Sequence, residues 1–214
     1  MFGVSEHLLT LMKGEITMGK YSCFEPEEDK IEAAQTMALS ATDAYIDFLF
    51  PTLPADEKIV LFHKFSNGYG HTNFFINKNY LKRRITEGFS SDTFISLSTV
   101  KGEATTKEGK NMCRRSCLGF DFDKKDFKYS TIKEFTDHFR TTTGLYIHFA
   151  IDSGHGYHFY VGIAETTDIP RVTSITRRFA FLSGADRRNI SNAQALRLPG
   201  TLNYKDKEFP LSAN

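Results

Sequence analysis

The chain has 214 residues, 40% hydrophobic and 25% charged, with 27 Lys and Arg against 26 Asp and Glu for a net charge of +1. That composition excludes wholesale disorder and suits one large domain or two small layers sharing a core. No run approaches the roughly 18 apolar residues of a membrane span, and the opening MFGVSEHLLTLMKGE is too short and too acidic at its flank for a secretory signal, so a soluble, cytoplasmic protein is expected.

The charge is unevenly spread. Residues 1–56 hold ten acids and three bases, a net −7, and the remainder 24 bases and 16 acids, a net +8. The basic portion includes Lys82-Arg83-Arg84, Arg114-Arg115, Lys124-Lys125, Arg177-Arg178 and Arg187-Arg188. These read either as a surface for polyphosphate or nucleic acid or as ordinary solvated faces. The 20 Phe and no Trp suggest a Phe-packed interior, although exposed Phe can also stack on bases. Cys23, Cys113 and Cys117 lack a second close pair for a zinc knuckle, so no zinc is expected and reduced thiols fit better.

In chain order, EEDKIEAAQTMALSATDAYIDFLF has apolar residues at three-to-four spacing with acids in its first turn, which predicts a helix ended by Pro51 and Pro54. KIVLFHKF and TNFFIN predict strands around SNGYGH, followed by a basic helix near Tyr80 to Gly88 and a strand at TFISLSTV. From Ser116 the pattern predicts CLGFDFD as a strand, TIKEFTDHFRTTTG as a helix closed by Gly144, LYIHFAID and GYHFYVGI as strands, IPRVTSITRRFAFLSG as a helix between Pro170 and Gly184, and AQALRLP as a short strand. The order βαββαβ predicts a ferredoxin-like or RNA-recognition-type sheet with helices on one side and the other side open to carry a site. The fold class is therefore α+β. Residues 1–111 are expected to form an N-terminal α/β module with an acidic helical start, and 112–214 the RRM-like module.

Three constellations carry chemistry. In CLGFDFD, alternation puts Leu118, Phe120 and Phe122 on one face and Asp121 and Asp123 on the other, the acids about 7 Å apart along the strand. Two such carboxylates can hold divalent cations for phosphoryl transfer, or Asp123 simply caps a turn with Lys124 and Lys125. In DSGHGYHFYVGI, Gly154 and Gly156 allow backbone N–H groups to face an anion, Ser153 can donate to a phosphate, and His158 projects from the face opposite Tyr157 and Phe159. A lone hairpin histidine is more often just a hydrogen-bonded side chain. In QALRLPGTLNYKDK, Arg197 can grip a phosphate bidentately, with Asn203 and Lys205 following the Pro199-Gly200 turn. Upstream, Asp186 offers a third metal ligand or caps a helix end.

The ordered set FDFD, SGHGYH and D…RLPGTLNYK resembles the three motifs of the archaeo-eukaryotic primase (AEP) superfamily, particularly the primase-polymerases of plasmids, phages and related mobile elements. It covers roughly Asp92 to Lys205. The resemblance implies an AEP primase fold and a nucleotidyltransferase, a DNA primase or DNA polymerase, in which Asp121, Asp123 and Asp186 hold two Mg²⁺ or Mn²⁺ ions. Ser153 and His158, with Gly154 and Gly156, would hold the incoming triphosphate, and Arg197, Asn203 and Lys205 would contact the nucleotide as well. The partners implied are a single-stranded DNA template with primer, dNTP or NTP, and a fused or separate helicase or accessory domain. A common form of the third motif adds a second acid and a basic residue where this chain has Ser191 and Gln194, which leaves Asp152 and Asp206 as rivals to Asp186. The alternatives are a non-catalytic RRM-like nucleic-acid-binding module, against which acids stand where stacking residues are wanted, and a replication-initiator nickase, for which GYHFY supplies only one histidine.

Overall fold

The computed structural model describes residues 41–65, 69–89, 91–203 and 211–212. The predicted acidic helix is described only over 41–49 (α1); Thr42, Tyr45, Ile46 and Leu49 make its buried stripe, and its predicted part before 41 lies outside the described residues. β1 (Glu57–Lys64) and β2 (Gly70–Phe75) pair antiparallel as the alternation predicts. α2 (Lys78–Thr86) starts at Asn77, whose side chain accepts from the Tyr80 N–H, and it buries Leu81 and Ile85. Asp47 of α1 pairs with Lys78 and Lys82 at 3.2 and 2.7 Å, tying the two helices together.

The run TFISLSTV does not form one strand. β3 (Asp92–Ser96) and β4 (Val100–Lys101) are separate, both paired with β1. Between them the Ser96 hydroxyl donates to the Ser98 carbonyl at 2.9 Å and accepts from its N–H, a local bond that competes with a continued ladder.

β5 (Arg115–Asp123), α3 (Ile132–Thr143), β6 (Phe149–Asp152), β7 (Gly156–Thr166), α4 (Ile169–Ser183) and β8 (Ala195–Arg197) follow in the predicted βαββαβ order. Thr131 caps α3 and Asp168 caps α4, and both helices end at glycines in the left-handed region, Gly144 at φ 72° and Gly184 at φ 80°. β6 is shorter than predicted; before it, His148 joins β7 by donating its N–H to Tyr160 O and accepting at Nδ1 from the Gly162 N–H. A final pair, β9 (Leu202–Asn203) with β10 (Leu211–Ser212), closes the described chain.

The strands form a sheet of order β2-β1-β3-β8, with β4 also on β1, and a second sheet of order β5-β7-β6. β8, the strand that ends the βαββαβ run, thus pairs with β3, not with β5. The reason is visible at the seam: Leu196 and Leu198 enter the core between the sheets, and the Gln194 side chain, not a backbone ladder, reaches β5 by donating to Gly119 O at 3.1 Å. Leu118, Phe120 and Phe122 pack against α3 and α4 in a Phe-rich core. The opposite face of the second sheet is not open, as the pattern predicts it to be. Cys117, Tyr160 and Ile151 on that face share a core with Ile95, Leu97 and Leu196 of the first sheet. A Cβ at Gly119 would overlap Leu97 Cδ1, so glycine there permits the close approach of the two layers.

Arg115 also departs from the surface role expected of the basic clusters. It is fully buried, donating from Nε to Ser98 Oγ at 2.8 Å and from a terminal nitrogen to Asn192 O at 2.9 Å, and burial lowers its pKa to about 10. Arg114 is spent on Glu57 and Glu165, at 3.0 and 2.9 Å.

Candidate active site

Near the C-terminal end of β5, the face that holds Cys117 and Gly119 turns acidic. In the antiparallel register Asp121 lies opposite His158, Asp123 opposite Gly156, and Ile151 beside His158 on the other flank. Asp121, Asp123 and His158 therefore share one face of the second sheet, on the side that shares a core with the first. Gly156 is required where it stands, since a Cβ would overlap the Phe122 carbonyl oxygen.

Asp121 is three-quarters buried, and its carboxyl is pushed up to about 6. Desolvation is the main cause; the charges of Asp123 and Asp186 add to it, while Asn189 and Arg188 oppose it. His158 is buried and pushed down to about 3, first by desolvation and then by the charge of Arg197, so its imidazole is neutral. Its Nε2 stands 3.6 Å from Asp121 Oδ1, too far for a strong hydrogen bond, and its buried Nδ1 has no hydrogen-bond partner among the described residues.

Asp186 reaches the same place from the end of α4. The left-handed turn at Gly184 reverses the chain, and the Asp186 N–H donates to Asp121 O at 2.8 Å. Its carboxylate turns to Arg188, Nε at 3.0 Å and a terminal nitrogen at 2.9 Å, which holds it below the usual carboxylate range. Asp123, Asp126, Asp186 and Arg188 line a cavity of about 190 Å³. Among the described residues, no three His, Cys, Asp or Glu side chains converge closely enough to hold a metal ion between them. The carboxylates on this face that could hold a divalent ion are those of Asp121 and Asp123, and Asp186 could join them only by releasing Arg188. Asp152 is occupied otherwise, accepting from the Gly154 N–H at 2.8 Å and from Lys124 at 2.9 Å; Asp206 lies outside the described residues.

The glycine turn is internally bonded. The Ser153 hydroxyl donates to Gly156 O at 3.0 Å, Gly154 sits at φ 88° with its N–H on Asp152, and Asn203 Nδ2 donates to Ser153 O at 2.7 Å. Arg197 is buried, its guanidinium on Asp92 at 2.8 Å and over the Phe94 ring at 4.9 Å. Lys205 lies outside the described residues. Sequence reasoning missed Asp92, Asn189 and Arg188. Asp92 and Arg197 are separated by 105 positions, and no local pattern links them.

Neither a family model nor a curated protein sequence matches the chain. Solved structures do. The AEP domain of the cyanophage S-2L primase-polymerase (PrimPol) superposes with a TM-score of 0.58 at 12% identity, over 82% of this chain and 88% of that one. The catalytic domain of primase RepB′ in complex with initiator DNA gives 0.50 at 16% identity, over 81% and 82%. This chain has the AEP primase-polymerase fold. A second structure of primase RepB′ matches at 0.50 and 14% identity over 80% of this chain and 55% of that one. Within the AEP fold, the βαββαβ segment is the part that carries Asp121, Asp123, Ser153, His158 and Asp186.

Proposed function

We propose that the protein is a template-directed nucleotidyltransferase, a DNA primase or DNA polymerase that joins nucleotides from dNTP or NTP to a 3′-hydroxyl in replication or repair. The observation that carries this reading is the register of β5 with β7, which sets Asp121 beside His158 and Asp123 beside the glycine turn on one face of an AEP fold.

Asp121 and Asp123, joined by Asp186, would hold Mg²⁺ or Mn²⁺. Such ions, when bound, acidify an attacking hydroxyl and neutralise charge on the leaving pyrophosphate. The chain's own groups do the rest. With a pKa near 6 the Asp121 carboxyl is ionised at neutral pH, so it meets a cation without first losing a proton. His158, neutral by burial, offers a hydrogen bond to a triphosphate oxygen without a full charge. Asn203 braces the Ser153 backbone, and Asp92 and Phe94 brace Arg197, so these groups meet a nucleotide in fixed positions. Asp186 would be free to serve as a ligand if Arg188 turned from it toward phosphate. Lys205, and an accessory or helicase domain as a partner, complete the proposal. The catalytic domain of RepB′ is in complex with initiator DNA, which supports DNA as a partner here; a single-stranded template is part of the proposal.

A non-catalytic RRM-like module is disfavoured because the face such a module would offer to bases is covered by the first sheet. The test is incubation with a single-stranded template, Mg²⁺ or Mn²⁺ and each nucleotide set, with and without primer. Metal-dependent incorporation that disappears in Asp121→Ala and Asp123→Ala is expected. Undiminished synthesis by either variant refutes the assignment.

A further inference from the structure

The first sheet has a second face, opposite the core it shares with β5, β7 and β6. At one end of it, Val60 is covered by Val100, Ala104 and Met112. Toward the other end the cross-strand neighbours Phe62 and Phe94 stand partly exposed with ring centroids 6.3 Å apart. Arg197, opposite Phe94 in register, lies over its ring, and Lys107 reaches in from the loop after β4 to place Nζ 3.6 Å over Phe62. Lys64, next on the same face of β1, is exposed. Phe62, Phe94, Lys64 and Lys107, with Arg188 and Asn189, line a groove of about 340 Å³. Asn189 also approaches Asp121, Nδ2 to Oδ2 at 3.4 Å, so the groove opens directly off the acidic site.

The two ring-bound cations differ. Arg197 is held by Asp92, whereas neither Lys107 nor Lys64 has a carboxylate partner among the described residues. Burial lowers the Lys107 pKa, which marks an ammonium that gains by finding an anion. A nucleobase can replace it on the Phe62 ring while the ammonium turns to the adjoining phosphate. Rings on a sheet reach only bases that have left a duplex, which selects an unpaired strand.

We propose that this face of the first sheet is the track for single-stranded nucleic acid, with bases on Phe62 and Phe94 and backbone phosphates on Lys64 and Lys107. It deepens the polymerase reading above by naming the surface that receives the strand.

The test measures binding of a fluorescent single-stranded oligonucleotide by anisotropy over a salt series, with duplex and a single dNTP as further probes. The double variant Phe62→Leu, Phe94→Leu keeps apolar volume and is expected to weaken strand binding at least about fivefold, from the loss of base stacking. Lys64→Gln with Lys107→Gln is expected to weaken it too and to flatten the salt slope by about 0.7 for each phosphate that no longer meets an ammonium. Parent-like binding and slope in both variants, or a parent that binds no single strand, overturns the proposal. Abolished dNTP binding with strand binding intact also overturns it, assigning the groove to the incoming nucleotide. Incorporation by the parent is followed in parallel. Strand binding that depends on the groove in a protein that incorporates nothing would remove the enzymatic reading and leave the groove standing; incorporation with groove-independent binding does the reverse.

Discussion

The two faces of β5 are built on opposite terms. Leu118, Phe120 and Phe122 look toward α3 and α4 and pack in an apolar cluster; Phe122 by itself contacts the rings of Phe127, Phe135 and Phe159. Cys117 and Gly119 look toward the first sheet, and the same face then turns acidic at Asp121 and Asp123. One face stabilises the fold, while the other carries a desolvated carboxylate that costs stability and belongs to the proposed site.

The sharpest way to break this contrast is Asp121→Asn. Nucleotide incorporation is expected to fall below detection while the folded state becomes more stable at pH 7. The sign follows from the raised pKa. The folded carboxyl binds its proton near pH 6 and the unfolded one near 3.8, so the parent loses stability as pH rises through that window, by at most about 3 kcal/mol. The Asn variant lacks that loss, and urea midpoints in EDTA from pH 4 to 7 should show its advantage closing toward pH 4. His158, pushed down to about 3, slopes the other way: stability present above about 6.5 is lost as pH falls. Removing Asp121 should therefore leave a steeper acid-side decline. An advantage that does not change with pH would mean the carboxylate is not desolvated.

On the apolar face, Phe135→Ala should cost about 3–5 kcal/mol in urea unfolding, since Phe135 is fully buried among Phe122, Phe139 and Phe159. A loss under about 1 kcal/mol would mean the cluster repacks. At the seam, Gly119→Ala should cost about 1–3 kcal/mol by overpacking against Leu97 and Leu196. Strand binding and incorporation should fall with it if the spacing of the sheets sets the site. The smallest effect belongs to Thr131→Ala, about 1 kcal/mol, because Thr131 Oγ1 accepts from the Glu134 N–H at 3.1 Å while Glu134 accepts from the Ser130 N–H in return. Its incorporation rate should match the parent's.

Local signals in the sequence are reliable wherever the cause is local. Alternation in LGFDFD puts the acids and phenylalanines on opposite faces, and Thr131, Gly144, Pro170 and Gly184 mark helix ends that the structure places within a residue or two. What stays hidden depends on distant chain. Nothing near Leu196 says that it will pair with Ile95 in preference to β5, and nothing near Arg115 says that its guanidinium will be buried against the carbonyl of Asn192. The break at Leu97 arises from short hydroxyl bonds that propensity reads as ordinary strand. The acids of the site are legible, but the partners that tune them, Asn189 and Arg188, sit in a loop whose path is set by the last helix.

The transfer of β8 to the first sheet makes the segment that carries the candidate site inseparable from its neighbour. A fragment cut to begin at Met112 would retain Asp121, Asp123 and His158 but strand Leu196 and Leu198 without their apolar surroundings, and Arg197 without its carboxylate. Engineers who wish to transplant the candidate site into another scaffold must therefore carry both layers along.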